Sequence, residues 1–108
     1  MLRIADDVRW LQVVARKLCV RLRSVDGDLE RQLRRSAQSV ALNLAEGAAA
    51  RGGRRRSAYE IAMREAKECK AAFEVAADWG YIETDEAVAD RLDKIVATLY
   101  RLNHPKVA

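Results

Sequence analysis

The chain has 108 residues, of which 50% are hydrophobic and 33% are charged, and its formal net charge is +4. This length suits one domain with a sizeable core, and the composition argues against intrinsic disorder. No stretch approaches the roughly 20 apolar residues of a membrane span. Asp6 and Asp7 lie where a secretory signal would have its apolar core. We therefore expect a cytoplasmic protein that does not bind a membrane.

The charge is unevenly distributed along the chain. Residues 1–56 hold 13 Lys and Arg against 6 Asp and Glu, whereas residues 57–108 hold 7 against 10. A basic half favours a polyanionic partner, or self-association between unlike faces. A basic surface that is only solvated remains the alternative.

Apolar residues recur in alternating steps of four and three along four segments, which is the pattern of helices packed in a bundle. The predicted helices span about 4–23, 29–50, 58–79 and 85–102. Their connections are short, so consecutive helices are expected to be antiparallel. The sequence thus predicts an all-α, antiparallel up-down-up-down four-helix bundle that forms one domain over residues 1–108.

Capping residues mark the predicted starts of three helices. Asp28 is the expected cap of the second helix, Ser57 and Glu60 form a capping box for the third, and Thr84 caps the fourth. The two cysteines, Cys19 and Cys69, lack CxxC spacing and fall within helices. They are expected to be buried, reduced thiols.

Two of the predicted helices carry apolar residues outside their core stripes. These residues are Trp10, Val13 and Val14 on the first helix and Ala72, Val75 and Trp79 on the third. One bundle buries one stripe per helix, so a second stripe favours an interface in a homo-oligomer. A wide core stripe in a small bundle is the alternative.

Residue types suited to catalysis are scarce. The only histidine, His104, lies beyond the last core position, and no Glu-x-x-His pair of a di-iron bundle is present. Glu65 and Glu68 share one side of the third helix but have no histidine partner, which indicates a solvated face. No serine has a nearby general base. We expect no enzymatic activity, no metal and no cofactor.

A polar stripe runs beside the apolar stripe of the second helix. It consists of Gln32, Ser36, Ser39, Asn43 and Glu46. Short uncharged side chains with one carboxylate favour a semi-buried hydrogen-bonded seam, within the bundle or between subunits. A site for a polar ligand is the alternative.

A basic loop is predicted to follow the second helix. Its arginines are Arg51, Arg54, Arg55 and Arg56. They precede the third helix, whose free amides and dipole favour an anion, and guanidinium groups suit phosphate. The loop is therefore expected to bind RNA or DNA without strong sequence preference, unless it is basic only because it is exposed. Arg34 and Arg35 form a second candidate patch near the opposite end of the second helix.

The run from Gln32 to Gly47 resembles the signature of the "four helix bundle protein" family, the intervening-sequence proteins of large-subunit ribosomal RNA genes. That signature reads Gln-Leu-Arg-Arg-Ala-Ala-x-Ser-Ile-Pro-x-Asn-Ile-Ala-Glu-Gly. The matching residues are Gln32, Leu33, Arg34, Arg35, Ala37, Ser39, Asn43, Ala45, Glu46 and Gly47. The similarity covers about 29–102, including the corner Asp78-Trp79-Gly80-Tyr81-Ile82. Ser36 and Ala41 depart from the signature, which has alanine and proline there.

The resemblance implies a ring-shaped homo-oligomer, commonly a pentamer. It also implies kinship with the accessory variability proteins of diversity-generating retroelements, which associate with a reverse transcriptase and bind nucleic acid. The hypothesis from the sequence is thus a non-enzymatic, oligomeric nucleic-acid-binding or ribonucleoprotein accessory protein. The alternative is a structural homo-oligomer that acts through protein–protein contacts alone.

Overall fold

A computed structural model describes residues 3–104. The helices are α1 (Arg3–Leu22), α2 (Gly27–Ala49), α3 (Gly52–Asp78) and α4 (Glu86–Asn103), and the described part of the chain has no strand. The all-α, four-helix prediction is confirmed. Over the same residues, no helix combines the length and apolarity that crossing a membrane requires.

The predicted caps of α2 and α4 were wrong by one or two residues. Asp26, and not Asp28, caps α2: its carboxylate accepts a hydrogen bond from the Leu29 amide at 3.0 Å. Asp85, and not Thr84, caps α4 in the same way. An aspartate one position outside the helix can reach the free amides of the first turn, which is why each cap lies directly before its helix.

The start of α3 differs more from the prediction. This helix begins at Gly52, so Ser57 and Glu60 lie inside it and form no capping box. Gly52 adopts a left-handed φ of 58°, which lets the chain reverse through only Ala50 and Arg51 after α2 ends. The arginines that follow are good helix formers, so nothing delays the first turn of α3.

One core joins all four helices. Helix α1 packs against α2 and α4, and α3 packs against the same two helices, which places α1 and α3 on a diagonal. Large side chains such as Leu11, Leu33, Leu92 and Ile95 are fully buried. Four residues that continue the apolar spacing of their helices are less buried than this core: Ala48 is exposed, and Phe73, Val88 and Leu102 are half-buried.

Both cysteines lie in this core as free thiols, as expected. Burial raises the pKa of the Cys69 thiol to about 12. Desolvation also raises the pKa of Cys19, whose thiol donates a long hydrogen bond to the Glu30 carbonyl at 3.6 Å. Thiols with raised pKa values hold little thiolate at neutral pH, so neither cysteine is suited to redox or nucleophilic chemistry.

The last position of the signature, Gly47, has a clear packing role. A Cβ atom on Gly47 would lie 2.3 Å from Cε1 of Tyr59, far inside van der Waals contact. Tyr59 is buried in the core, so its ring is not exposed for stacking on bases. The Gly47 position is therefore glycine because the ring of Tyr59 packs directly on the backbone of α2.

The corner between α3 and α4 is tied to the turn between α1 and α2. The Tyr81 hydroxyl donates to the Asp26 carboxylate at 3.3 Å, and Arg21 donates to the Tyr81 carbonyl. The same Asp26 caps α2. The tyrosine of this corner thus fixes one end of the helix bundle.

Candidate functional site

The arginines predicted to form a loop lie mostly on a helix. Arg51 is the N-cap of α3, and Arg54, Arg55 and Arg56 belong to its first turns. All four side chains are exposed. The loop interpretation was wrong because α3 starts at Gly52, so the cluster is presented by a rigid helix end.

Arg55 has a structural role. Its Nε donates to the carbonyl of Gly47 at 3.1 Å and to that of Ala50 at 3.0 Å. The last carbonyls of a helix have no partner within the helix, and a cation there also opposes the negative end of the dipole. Arg55 therefore caps the C-terminus of α2 and holds the tight connection to α3.

The other three arginines are held loosely or not at all. Arg54 lies 3.5 Å from Glu46, and both side chains are largely exposed, so this pair contributes little to stability. Arg51 and Arg56 form no ion pair with any residue in 3–104. The side chain of Arg51, the N-cap residue, forms no hydrogen bond to the amides of α3. These guanidinium groups and amides are available to an external anion.

This division of roles can be tested by stability. Arg55→Ser should lower the free energy of unfolding by about 1–2 kcal/mol, because the terminal carbonyls of α2 lose a charged donor. Arg54→Ser should change it by less than about 0.5 kcal/mol, since an exposed ion pair is worth little. Urea unfolding followed by circular dichroism measures both variants. Equal effects would contradict the capping role.

The second basic patch has one fixed member and one free member. Arg34 Nε lies 3.0 Å from the carboxylate of Glu30, which is buried to 8% exposure in spite of its charge. Arg35 is exposed and makes no ion pair in the described part of the chain. Roughly 24 Å of helix separates Arg35 from Arg51 at 1.5 Å per residue, so the two patches are distinct in one subunit.

The polar stripe of α2 is not a continuous buried seam within one subunit. Ser36 is fully buried, Ser39 and Asn43 are half-buried, and Gln32 and Glu46 are exposed. Asn43 Nδ2 donates to the carbonyl of Ser39 at 2.9 Å and to its hydroxyl at 3.1 Å, which is a bond along the same helix. A seam between subunits stays a prediction.

The Ser36 hydroxyl has no hydrogen-bond partner in the structure. A buried hydroxyl without a partner costs about 1–3 kcal/mol relative to its hydrated state. Ser36→Ala should therefore raise the free energy of unfolding by about 1 kcal/mol in urea, and Ser39→Ala should not. A loss of stability in Ser36→Ala would show that the hydroxyl is bonded in solution.

Three of the six predicted interface residues are less exposed than expected. The prediction of Ala72 as an interface residue was wrong, because Ala72 lies in the core and is only 4% exposed. Val14 is half-buried and packs against the core. Trp10 is also half-buried, and the guanidinium of Arg91 lies 4.6 Å from the centre of its ring. A salt bridge to Asp7 at 3.0 Å holds that guanidinium in place.

The remaining apolar candidates are open to solvent. Val13 is 43% exposed on α1, and Val75 and Trp79 are 40% and 72% exposed on α3. Val20 is also exposed, two turns beyond Val13 on the same face of α1. Sequence reasoning missed Val20, although its seven-residue spacing from Val13 is a visible signal.

Acidic residues do not form a metal centre in the described part of the chain. No cluster of His, Cys, Asp and Glu within residues 3–104 could hold an ion. Glu68 is exposed and Glu65 is half-buried, and interaction with the Glu65 carboxyl, together with desolvation, raises the pKa of Glu68. His104 stacks on Tyr100 at the end of α4, with 4.0 Å between ring centres.

These features define a small, basic, all-α protein with an exposed arginine cluster. A model of the family described as "23S rRNA-intervening sequence protein" matches residues 11–102, and the chain belongs to this family. A crystal structure of a protein with unknown function from the S23 ribosomal protein family of Bacteroides thetaiotaomicron VPI-5482 has a similar fold. Its TM-score is 0.83 at 21% sequence identity, over 93% of this chain and 97% of that chain. No curated protein matches the chain.

Proposed function

We propose that this chain is the subunit of a ring-shaped homo-oligomer, with a pentamer favoured, that binds RNA or DNA without strong sequence preference. Its four helices run up-down-up-down, and it acts without catalysis or a cofactor. The reverse transcriptase of a diversity-generating retroelement is its proposed protein partner, which rests on the family resemblance alone. The alternative is a structural oligomer that binds no nucleic acid.

The observation that carries the binding proposal is the open N-terminus of α3. Arg51, Arg54 and Arg56 are exposed around amides that no side chain caps, whereas Arg55 is held by α2. Helix dipole, free amides and guanidinium groups all favour an anion at the same place. Tyr59, the first aromatic residue after these arginines, is buried. Contacts to phosphate carry no sequence information, which supports binding without base readout.

Exposed apolar residues support the ring. Val13 and Val20 lie on α1, and Val75 and Trp79 lie on α3. The two helices are diagonal in the bundle, so the two surfaces face different directions. Contact between unlike surfaces of neighbouring copies is a heterologous interface, which closes into a ring when the rotation allows. A ring would repeat the arginine cluster and convert weak phosphate contacts into avidity.

The binding test removes two exposed arginines, Arg54 and Arg56, and keeps Arg55, which caps α2. Arg54→Ser with Arg56→Ser should weaken binding to labelled single-stranded RNA and DNA of every sequence. It should also flatten the dependence of affinity on salt, by about 0.7 in logarithmic slope for each phosphate that the variant no longer neutralises. Fluorescence anisotropy at several salt concentrations measures both quantities.

The matched control is Arg64→Ser with Lys67→Ser. Both residues are exposed on the same helix, and their substitution removes the same charge. They lie beside Glu65 and Glu68. The control should bind like the parent. No binding by the parent at about 50 mM salt, or an unchanged slope in the Arg54 and Arg56 variant, would favour the structural oligomer.

A further inference from the structure

A polar groove of about 540 Å³ lies between α1 and α2, on the half of α2 away from the Arg54 cluster. Its polar lining consists of Gln12, Arg16, Arg23, Glu30, Arg34 and Gln38. Only Arg34 among these residues was a candidate from the sequence. The groove is formed by two helices that are adjacent in the chain, so it exists in each subunit.

The charge of this region is strongly positive. Residues 16–35 hold 7 Lys and Arg against 3 Asp and Glu, a net +4 that equals the net charge of the whole chain. Arg16 lies on α1 and Arg23 directly follows the last residue of that helix; both are exposed and form no ion pair within residues 3–104. Three guanidinium groups therefore line the groove against one carboxylate.

That carboxylate belongs to Glu30, and it organises the groove. Glu30 is buried and accepts a hydrogen bond from Arg34 Nε at 3.0 Å, which orients the guanidinium through this one nitrogen. Two further bonds join the walls of the groove. Gln12 Nε2 donates to the Ala37 carbonyl at 2.7 Å, and the Cys19 thiol donates to the Glu30 carbonyl. The Arg34 guanidinium, which Glu30 holds in place, therefore loses less freedom when it binds a ligand.

We infer that this groove binds phosphate groups. They belong to the phosphodiester backbone of a single-stranded nucleic acid that also contacts Arg51, Arg54 and Arg56 at the start of α3. The planar guanidinium fork matches phosphate oxygens, and the Gln38 amide adds a neutral donor. The choice of a strand rests on the proposed function, whereas the phosphate chemistry does not. Free inorganic phosphate shares that chemistry and is the second possible source.

The test uses Arg16→Gln with Arg23→Gln, which keeps Arg34 and its bond to Glu30. The control, Arg3→Gln with Arg9→Gln, removes equal charge from exposed positions of α1. Binding of labelled oligouridine is measured by anisotropy, and binding of inorganic phosphate by phosphorus NMR line broadening. The groove variant should bind the oligonucleotide about tenfold more weakly at 50 mM salt, with a slope lower by about 1.4, and should broaden phosphate less than the control.

The possible results separate the two claims. If the groove variant no longer broadens the phosphate signal but binds oligouridine like the parent, the groove does not bind a nucleic-acid strand. It is then a site for free phosphate. Unchanged binding of both probes, together with weaker binding by the Arg54 and Arg56 variant, overturns the groove and leaves the proposed function. If the parent binds phosphate in the groove but no oligonucleotide, the proposed function fails and the groove stands. If the double variant does not fold, Arg16→Gln and Arg23→Gln are measured singly, and unchanged binding in both overturns the inference.

Discussion

Replacing Gly47 with alanine is expected to lower the free energy of unfolding by about 1–3 kcal/mol, because the added methyl group overpacks the contact between α2 and α3. The new Cβ would lie 2.3 Å from Cε1 of Tyr59 and 2.5 Å from Cδ1. Tyr59 is 6% exposed and part of the core, so its ring has little space into which it can move. The backbones of α2 and α3 would have to separate.

Urea unfolding of four variants measures this effect: Gly47→Ala, Gly53→Ala, Tyr59→Leu and the double variant of Gly47→Ala with Tyr59→Leu. Gly53→Ala is the matched control, since a Cβ there meets nothing within 4 Å, and alanine favours the helix. Tyr59→Leu together with Gly47→Ala should show a coupling energy, because the shorter side chain relieves the clash. A Gly47→Ala protein as stable as the parent would contradict the proposed reason for glycine in this signature.

If the chain forms the proposed ring, replacing Trp79 with glutamine is expected to dissociate it into 12.2 kDa subunits at micromolar concentration. The ring of Trp79 is 72% exposed, one turn beyond the exposed Val75. Buried tryptophans often contribute about 2 kcal/mol or more to an interface, and every interface of a ring would lose this contribution. Size-exclusion chromatography with light scattering measures the mass.

Leu42→Gln is the control for this experiment. Leu42 is 71% exposed, but it lies on α2, outside the apolar surfaces of α1 and α3. The control variant should keep the mass of the parent. Dissociation by Leu42→Gln but not by Trp79→Gln would place the interface on α2 and contradict the proposed contact between the apolar surfaces of α1 and α3.

The number of helices and most of the core could be predicted because the apolar spacing is regular along each helix. The boundaries were less predictable where two capping residues compete, as with Asp26 and Asp28. The start of α3 was missed because consecutive glycines usually indicate a loop. Here Gly52 makes the turn alone, and the arginines continue directly as a helix.

The candidate site depends on contacts between helices that no sequence pattern reveals. Arg55 looks like its neighbours in the sequence, and only the approach of α3 to the end of α2 brings its Nε to two carbonyls. The groove lined by Arg16 and Arg23 likewise requires a particular position of α1 relative to α2 along the helix axes. Trp10 seemed available for an interface because its cover, Arg91, comes from a helix distant in the chain.

Native mass spectrometry of the parent protein with a single-stranded oligonucleotide of arbitrary sequence tests the central claim most directly. We expect an assembly with five times the 12.2 kDa subunit mass, and a second species heavier by the mass of the strand. An unrelated sequence of equal length should give the same species, because phosphate contacts carry no sequence information. A spectrum with only the 12.2 kDa subunit and no bound strand would contradict it.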